Sequence, residues 1–202
     1  MLTFAFLGAG AFVALGLTNV RGTSTQFAGV VLSSAAFTWT AGAWTSARLI
    51  ASVGPRALVT AGMTIVTVGV AAMSAVIATS VSPWFAVGAW LLGGLGIGLA
   101  YSPLSQAALS AAEPGEMGAA TAALQLSDVL GFAVGTGLGG AIIALADRHD
   151  VRVGGSTVHA GVAMVWLVTG AVGVLGALTA RRMDRWLSGG NDDQAPAIDA
   201  HT

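Results

Sequence analysis

The sequence contains no cysteine and no lysine, and it is poor in charged residues of every kind. Without cysteine, the chain can form neither a disulfide nor a thiolate metal site. Charged residues make up 8% of the chain and hydrophobic residues 55%, whereas charged residues are about a quarter of a typical soluble domain. These proportions exclude an ordinary soluble protein and predict an integral membrane protein in contact with the lipid bilayer.

The first residues of the chain also lack basic side chains. Residues 1–3 carry no basic side chain before the apolar run begins, so the basic region of a secretory signal peptide is missing. We therefore expect the first apolar segment to be retained, and its abrupt start indicates that a preceding part of the protein is absent. The 8 basic residues are all arginine in a chain rich in Ala, Gly and Val, a composition typical of a GC-rich and hence bacterial genome.

The apolar runs have the lengths of membrane-spanning helices. About 20 mainly apolar residues are needed to cross the hydrocarbon of a bilayer, and Gly, Pro and polar clusters separate such runs here. The sequence therefore predicts an all-α fold with one domain over 1–186, followed by a disordered cytoplasmic tail over 187–202. Six transmembrane helices are predicted, at residues 2–17, 26–50, 57–78, 84–107, 119–146 and 159–180.

The fifth predicted helix places one carboxylate, Asp128, within a glycine-rich apolar segment. At 3.6 residues per turn, Asp128 shares a narrow face with the glycines at three- and four-residue spacing after it. Small residues at this spacing let two helices approach closely, whereas an intramembrane acid is costly unless it is paired, protonated or wetted. Asp128 could carry a proton, pair with a cationic substrate, hold a gate, or make a structural hydrogen bond. Five glycines are predicted to pack against neighbouring helices: Gly94, Gly98, Gly131, Gly135 and Gly139.

Other polar residues in the apolar segments are weaker candidates. Gln125, Tyr101 and Gln106 could contact a substrate or could only join helices. Arg48 lies near the end of the second helix, where its long side chain can reach the lipid headgroups.

Several function classes find no support. The Gly-x-Gly-x-x-Gly pattern at 135–140 lies inside an apolar helix rather than after a strand, which excludes a nucleotide-binding loop. No hydrolase or metalloprotease motif occurs, and His149 and Asp150 are too few for a metal site. We therefore expect no enzyme activity, no metal, no cofactor and no nucleic-acid partner.

Three features together resemble the C-terminal half of a major facilitator superfamily transporter. They are the short turn Gly54-Pro55-Arg56, the glycine-rich fourth helix that ends in the run 99–105, and the Gln-Leu-Ser-Asp-Val-Leu-Gly run at 125–131. The weaker second copy of that family's signature loop would fall on 47–56, where Leu49, Gly54 and Arg56 match. Ala47, Ala51, Ser52 and Pro55 depart from it, and the acid that gates the first copy is missing.

The resemblance implies one half of a transporter, built of two inverted three-helix repeats. Helices 1 and 4 would line a central cavity, helices 2 and 5 would meet a missing N-terminal six-helix half or a second copy, and helices 3 and 6 would face lipid. The implied function is secondary active, proton-coupled transport of a small-molecule substrate, as in solute or drug efflux by an antiporter. The alternatives are a six-helix membrane subunit or scaffold that transports nothing, and a non-functional truncated fragment.

The arginines predict an orientation in the membrane. Placing both termini in the cytoplasm puts five arginines inside and three outside, which fits the positive-inside rule. The resemblance and composition then imply a multi-pass protein of the bacterial inner membrane, with Trp84 and Trp186 at the interfaces. The inner arginines are Arg48, Arg56, Arg181, Arg182 and Arg185, and the outer ones are Arg21, Arg148 and Arg152.

Overall fold

The computed structural model describes residues 1–79, 81–110, 112–113, 115–153 and 156–181. In this part of the chain the regular structure is helical, with one isolated β-bridge between Val153 and Ser156. The expectation of an all-α protein is thereby confirmed. The predicted tail at 187–202, together with Trp186, lies outside the described residues. The described residues form six helical segments: α1 (Phe4–Val20), α2 (Thr25–Val53), α3 (Pro55–Ala78), α4 (Phe85–Ser110), α5 (Met117–Arg148) and α6 (Thr157–Ala180). Their ends lie within three residues of the predicted ones.

Local chemistry accounts for several helix ends. Ser24 and Ser156 precede α2 and α6, and each side chain accepts a hydrogen bond from a backbone N–H of the first turn, as N-cap serines do. Between α2 and α3, Gly54 has φ +82°, a left-handed conformation that glycine adopts without steric cost. Pro55 then begins α3, at a position where its missing N–H costs nothing.

Four helices, α3 to α6, are long and apolar enough to cross a membrane. The short apolar helix α1 is below that length. The 29 residues of α2 suffice in length, but Thr38, Thr40, Thr45 and Ser46 interrupt its apolar surface. The protein is thus a membrane-spanning helical protein by composition and length, and spanning by α1 and α2 stays a prediction.

Helix α4 lies between two other helices, packed along α2 on one side and α3 on the other. Its glycines make this possible because a side chain would meet the neighbouring backbone. A Cβ at Gly96 would lie 2.6 Å from the backbone nitrogen of Val66, well inside van der Waals contact. At Gly94 and Gly98, a Cβ would overlap the backbone carbonyls of α2.

Helix α1 is irregular. π-Helical turns at Phe4–Gly8 and Gly16–Val20 flank a break at Phe12, whose φ is −104° and ψ 1°. The buried indole of Trp166 on α6 donates a hydrogen bond to the Ala9 carbonyl at 3.3 Å, next to the break. Such interruptions of a helix are frequent at functional sites, and here a neighbouring helix supplies a partner for the backbone.

The other contacts between helices involve α5 and α6. α3 packs against α6, and α5 packs against α1 and α6. At one end of the bundle, the Arg21 guanidinium donates to the backbone carbonyls of Thr79 and Val81. This contact joins the α1–α2 connection to the α3–α4 connection, so both lie at the same end of the protein.

Candidate functional site

A cleft of about 380 Å³ lies between α2 and α5. Residues of α1 and α4 line it together with residues of α2 and α5. Its volume falls in the range of ligand-binding pockets, roughly 300–1,000 Å³. The residues that line it are Phe6, Leu7, Gly10, Ala11, Leu32, Ala35, Ala36, Trp39, Trp90 and Phe132. The cleft is therefore bounded by α1 and α4, which the resemblance assigns to a central cavity, and by α2 and α5, which it assigns to the contact with another half.

Aromatic rings from three helices form a continuous series along this cleft. Phe6 of α1 stacks on Trp90 of α4, with ring centroids 5.0 Å apart and an angle of 18° between the rings. Phe6 also meets Trp39 of α2 edge-on at 6.3 Å, and Trp39 in turn meets Tyr101 of α4 at 6.2 Å. All these spacings are those of attractive ring pairs.

The series ends at the carboxylate of Asp128. The Tyr101 hydroxyl donates a hydrogen bond of 2.7 Å to Asp128 Oδ2, between α4 and α5, and both side chains are half-buried. Asp128 is also four residues before Phe132, which lines the cleft, and residues four apart lie on the same helix face. Asp128 therefore lies beside the aromatic cleft and is joined to its wall through Tyr101 and Trp39, although neither Asp128 nor Tyr101 lines the cleft itself.

The four polar candidates from the sequence do not converge on one point. Asp128 and Tyr101 are bonded to each other, whereas Gln125 is exposed on α5. The side-chain nitrogen of Gln106 donates to Ser102 Oγ at 3.1 Å within α4. Gln106 also lines a separate pocket of about 230 Å³ that it shares with residues of the α2–α3 turn. Only one pair of the four therefore belongs to the candidate site.

Three glycines of α5 lie against α1 and the residue that precedes it. A Cβ at Gly131 would lie 2.5 Å from Thr3 Oγ1, and one at Gly135 would lie 3.1 Å from the Cα of Gly8. A Cβ at Gly139 would overlap the ring of Phe12. These contacts fix the position of α5 on α1, and with it the position of Asp128 relative to the cleft.

The residues of the proposed loop motif lie away from the cleft. Gly54 forms the turn between α2 and α3, and Arg56 is in the first turn of α3. Leu49 is exposed near the end of α2. The Arg48 guanidinium lies 3.6 Å from the centroid of the Trp44 ring, a cation–π contact. Snorkelling of Arg48 to headgroups stays a prediction.

Sequence reasoning did not identify Phe6, Trp39, Trp90 or Phe132 as site residues. The position of Phe132 one turn after Asp128 is a signal that could have indicated it. For the other three, helical periodicity gives a face on each separate helix, but it does not say which faces meet.

Two further observations bear on the site. Among the described residues, no group of three or more His, Cys, Asp or Glu side chains could hold a metal ion. Comparison of the chain with protein-family models and with curated proteins finds no match.

Proposed function

We propose that the chain is one half of a secondary active transporter of the major facilitator type, which exports a small solute in exchange for protons across the bacterial cytoplasmic membrane. The observation that carries this proposal is the cleft between α2 and α5, with the Tyr101–Asp128 pair beside it. Both chain termini would lie in the cytoplasm.

The environment of Asp128 supports a role in proton exchange. An intramembrane carboxylate is costly when it is charged and alone, and such residues commonly lie on ion or proton pathways. Asp128 is only half-buried and has the Tyr101 hydroxyl as a donor. The Tyr101 hydroxyl stabilises the charged form of Asp128. Incomplete burial by protein leaves the carboxylate open on one side, where a water-filled cavity between two halves would let protons exchange.

The burial of α5 supports the proposal of a half-transporter. Only 17% of the most apolar part of α5 is buried, compared with 56% for α4. In a transporter, the substrate site lies between two such halves. A second six-helix half, or a second copy of this chain, would cover the open side of the cleft and the exposed face of α5.

A non-transporting membrane subunit is the second candidate, and one observation favours it. The Tyr101–Asp128 bond joins two neighbouring helices, which is also what a purely structural polar pair does in a membrane bundle. The two functions differ in their requirement for a titratable proton, and an experiment can separate them on that point.

The test replaces Asp128 by Asn in the chain assembled with its other half. The DNA upstream of Met1 is read for about six further apolar spans, and the joined protein is expressed in everted membrane vesicles that carry a proton gradient. Quinacrine fluorescence then reports proton movement as lipophilic cations, neutral solutes and organic anions are added in turn. At least one solute should discharge the gradient, and Asp128→Asn should reduce that response at least tenfold.

The control is the amount of inserted protein. Asn keeps the shape of Asp and can still accept the Tyr101 hydrogen bond, while it removes the titratable proton and the charge, so Asp128→Asn should accumulate in the membrane like the unaltered protein. An Asp128→Asn protein with a normal proton response would contradict the proposal and leave the structural role of the pair.

A further inference from the structure

We propose that a groove between α3 and α4 binds one anionic phospholipid, whose acyl chain lies between the two helices and whose phosphate is attracted by Arg21. The groove has a volume of about 390 Å³ and is separate from the cleft beside Asp128. The proposal requires that α3 and α4 span the membrane, as their length and composition allow. It does not depend on the transport function.

The walls of the groove are apolar, and small residues keep it open. It begins at Val81 in the connection between the helices and follows the last two turns of α3 and the first two of α4. An added Cβ at Gly88 would have no atom within 4 Å, so the chain leaves the space beside it free. In a bilayer, lipid tails are the apolar groups that fill such a space. The residues that line the groove are Ala72, Ala75, Val76, Val81, Phe85, Gly88, Ala89 and Leu92.

A cationic side chain lies next to the upper end of the groove. Nη2 of Arg21 donates to the backbone carbonyl of Val81, which is one of the lining residues, and Nη1 donates to the carbonyl of Thr79. Each of these nitrogens carries a second N–H. The guanidinium can therefore hold the α3–α4 connection in place and still donate to a further acceptor.

The charge of Arg21 is not balanced by a carboxylate. The sequence has no acidic residue before Glu113, and in the described part of the chain Arg21 bonds to carbonyl oxygens and forms no ion pair. Carbonyl dipoles compensate a full charge only in part, so an anion gains energy by approaching it. The ligand of this site is therefore anionic.

The position of Arg21 in the membrane identifies the anion as a lipid headgroup. Trp84, in the same connection, is 69% exposed, and its ring meets Phe27 edge-on at 5.0 Å. Exposed indoles at the ends of membrane helices lie at the level of the headgroups. A cation at this level beside an apolar groove matches a molecule that joins a phosphate to an acyl chain. Basic pockets between membrane helices recognise anionic lipids in this way.

The experiment titrates the full chain in detergent with dioleoyl-phosphatidylglycerol and, separately, with dioleoyl-phosphatidylcholine. The two lipids have the same acyl chains and differ in headgroup charge, and native mass spectrometry measures the dissociation constant of the first bound lipid. Phosphatidylglycerol should bind at least about fivefold more tightly. Arg21→Gln should remove this preference, whereas Arg21→Lys keeps the charge and should retain it. Gly88→Leu fills the groove and should weaken phosphatidylglycerol binding by roughly tenfold.

Matched variants separate the groove from general effects. Arg148→Gln removes an exposed arginine at the end of α5. Gly170→Leu adds a leucine to α6 at another glycine where a Cβ would meet no atom within 4 Å. Both controls should change the dissociation constant less than about twofold, as surface substitutions away from a site do. Thermal melting should show that Gly88→Leu is as stable as the unaltered chain, so that its loss of binding reports the groove.

Equal affinity for the two lipids, an unchanged preference in Arg21→Gln, or unchanged binding in Gly88→Leu would each overturn the proposal. Release of bound phosphatidylglycerol by glycerol phosphate would also overturn it, because the site would then bind a free anion. A dimer that is lost in Gly88→Leu and kept in Gly170→Leu would show that a second copy of the chain fills the groove instead of a lipid. Gly88→Leu and Arg21→Lys keep the proposal testable even if Arg21→Gln folds poorly.

Discussion

At the scale of single residues, the site depends on the hydrogen bond between Tyr101 and Asp128. It joins two side chains 27 residues apart, at 2.7 Å, across the boundary between α4 and α5. A hydrogen bond to a charged group contributes about 1.5–3 kcal/mol, whereas polar pairs between membrane helices average roughly 0.6 kcal/mol. Because Asp128 is only half-buried, we expect the contribution of the Tyr101–Asp128 bond to stability to lie between these two.

We predict that Tyr101→Phe lowers the free energy of unfolding in detergent by about 1–2 kcal/mol. The variant keeps the aromatic ring and its contact with Trp39, so the loss reports the hydroxyl alone. In the background of Asp128→Ala, the same change should cost almost nothing, since the acceptor is already gone.

The control for this double-mutant cycle is Asp147→Ala, which removes an acid that is bonded to Thr157 rather than to Tyr101. The effects of Tyr101→Phe and Asp147→Ala should add within about 0.5 kcal/mol. If Tyr101→Phe destabilised Asp128→Ala as much as it destabilised the unaltered chain, the bond would have no energetic role.

At the scale of helices, close approach between α1 and α5 depends on glycine. The Cα of Gly8 would lie 3.1 Å, and the Phe4 carbonyl oxygen 3.2 Å, from a Cβ at Gly135. Both are backbone atoms, which cannot move without moving α1. By contrast, a Cβ at Gly137 would have no atom within 4 Å.

We predict that Gly135→Leu destabilises the chain by about 1–3 kcal/mol or prevents its accumulation, because the added side chain separates α1 from α5. Gly137→Leu should be neutral or slightly stabilising, since leucine has the higher helix propensity and the site is open. Thermal melting and the yield of monodisperse protein measure both effects. Equal behaviour of the two variants would show that the α1–α5 contact does not need glycine.

At the scale of the whole molecule, the arginine count predicts an orientation in the membrane. The two ends of α2, a helix of 29 residues, are about 43 Å apart at 1.5 Å per residue, which exceeds the thickness of the hydrocarbon. Thr25 and Ser52, both exposed, lie at these opposite ends.

We predict that single cysteines at Thr25 or Ser156 react with an impermeant maleimide added to intact cells, whereas one at Ser52 reacts only after the membrane is opened. Because the chain has no native cysteine, label found on the purified chain comes from the introduced residue. A cysteine at Ser188, which lies outside the described residues, should behave like the one at Ser52. Reversed labelling would contradict the cytoplasmic placement of the termini.

The sequence by itself determined the class of protein and the course of its helices. Hydrophobic run length and the Gly-Pro turn at Gly54 are local properties, so the helix ends could be predicted within three residues. The spacing of Gly131, Gly135 and Gly139 likewise indicated a close contact on one face of α5.

Only the tertiary structure decided which helices meet. Periodicity fixes where a side chain lies around its own helix axis, but not the rotation and translation of one helix relative to another. For this reason, neither the contact of the α5 glycines with α1 nor the bond between Tyr101 and Asp128 could be predicted. The same holds for the aromatic cleft, because Phe6, Trp39 and Trp90 come from three helices and become neighbours only when those helices pack.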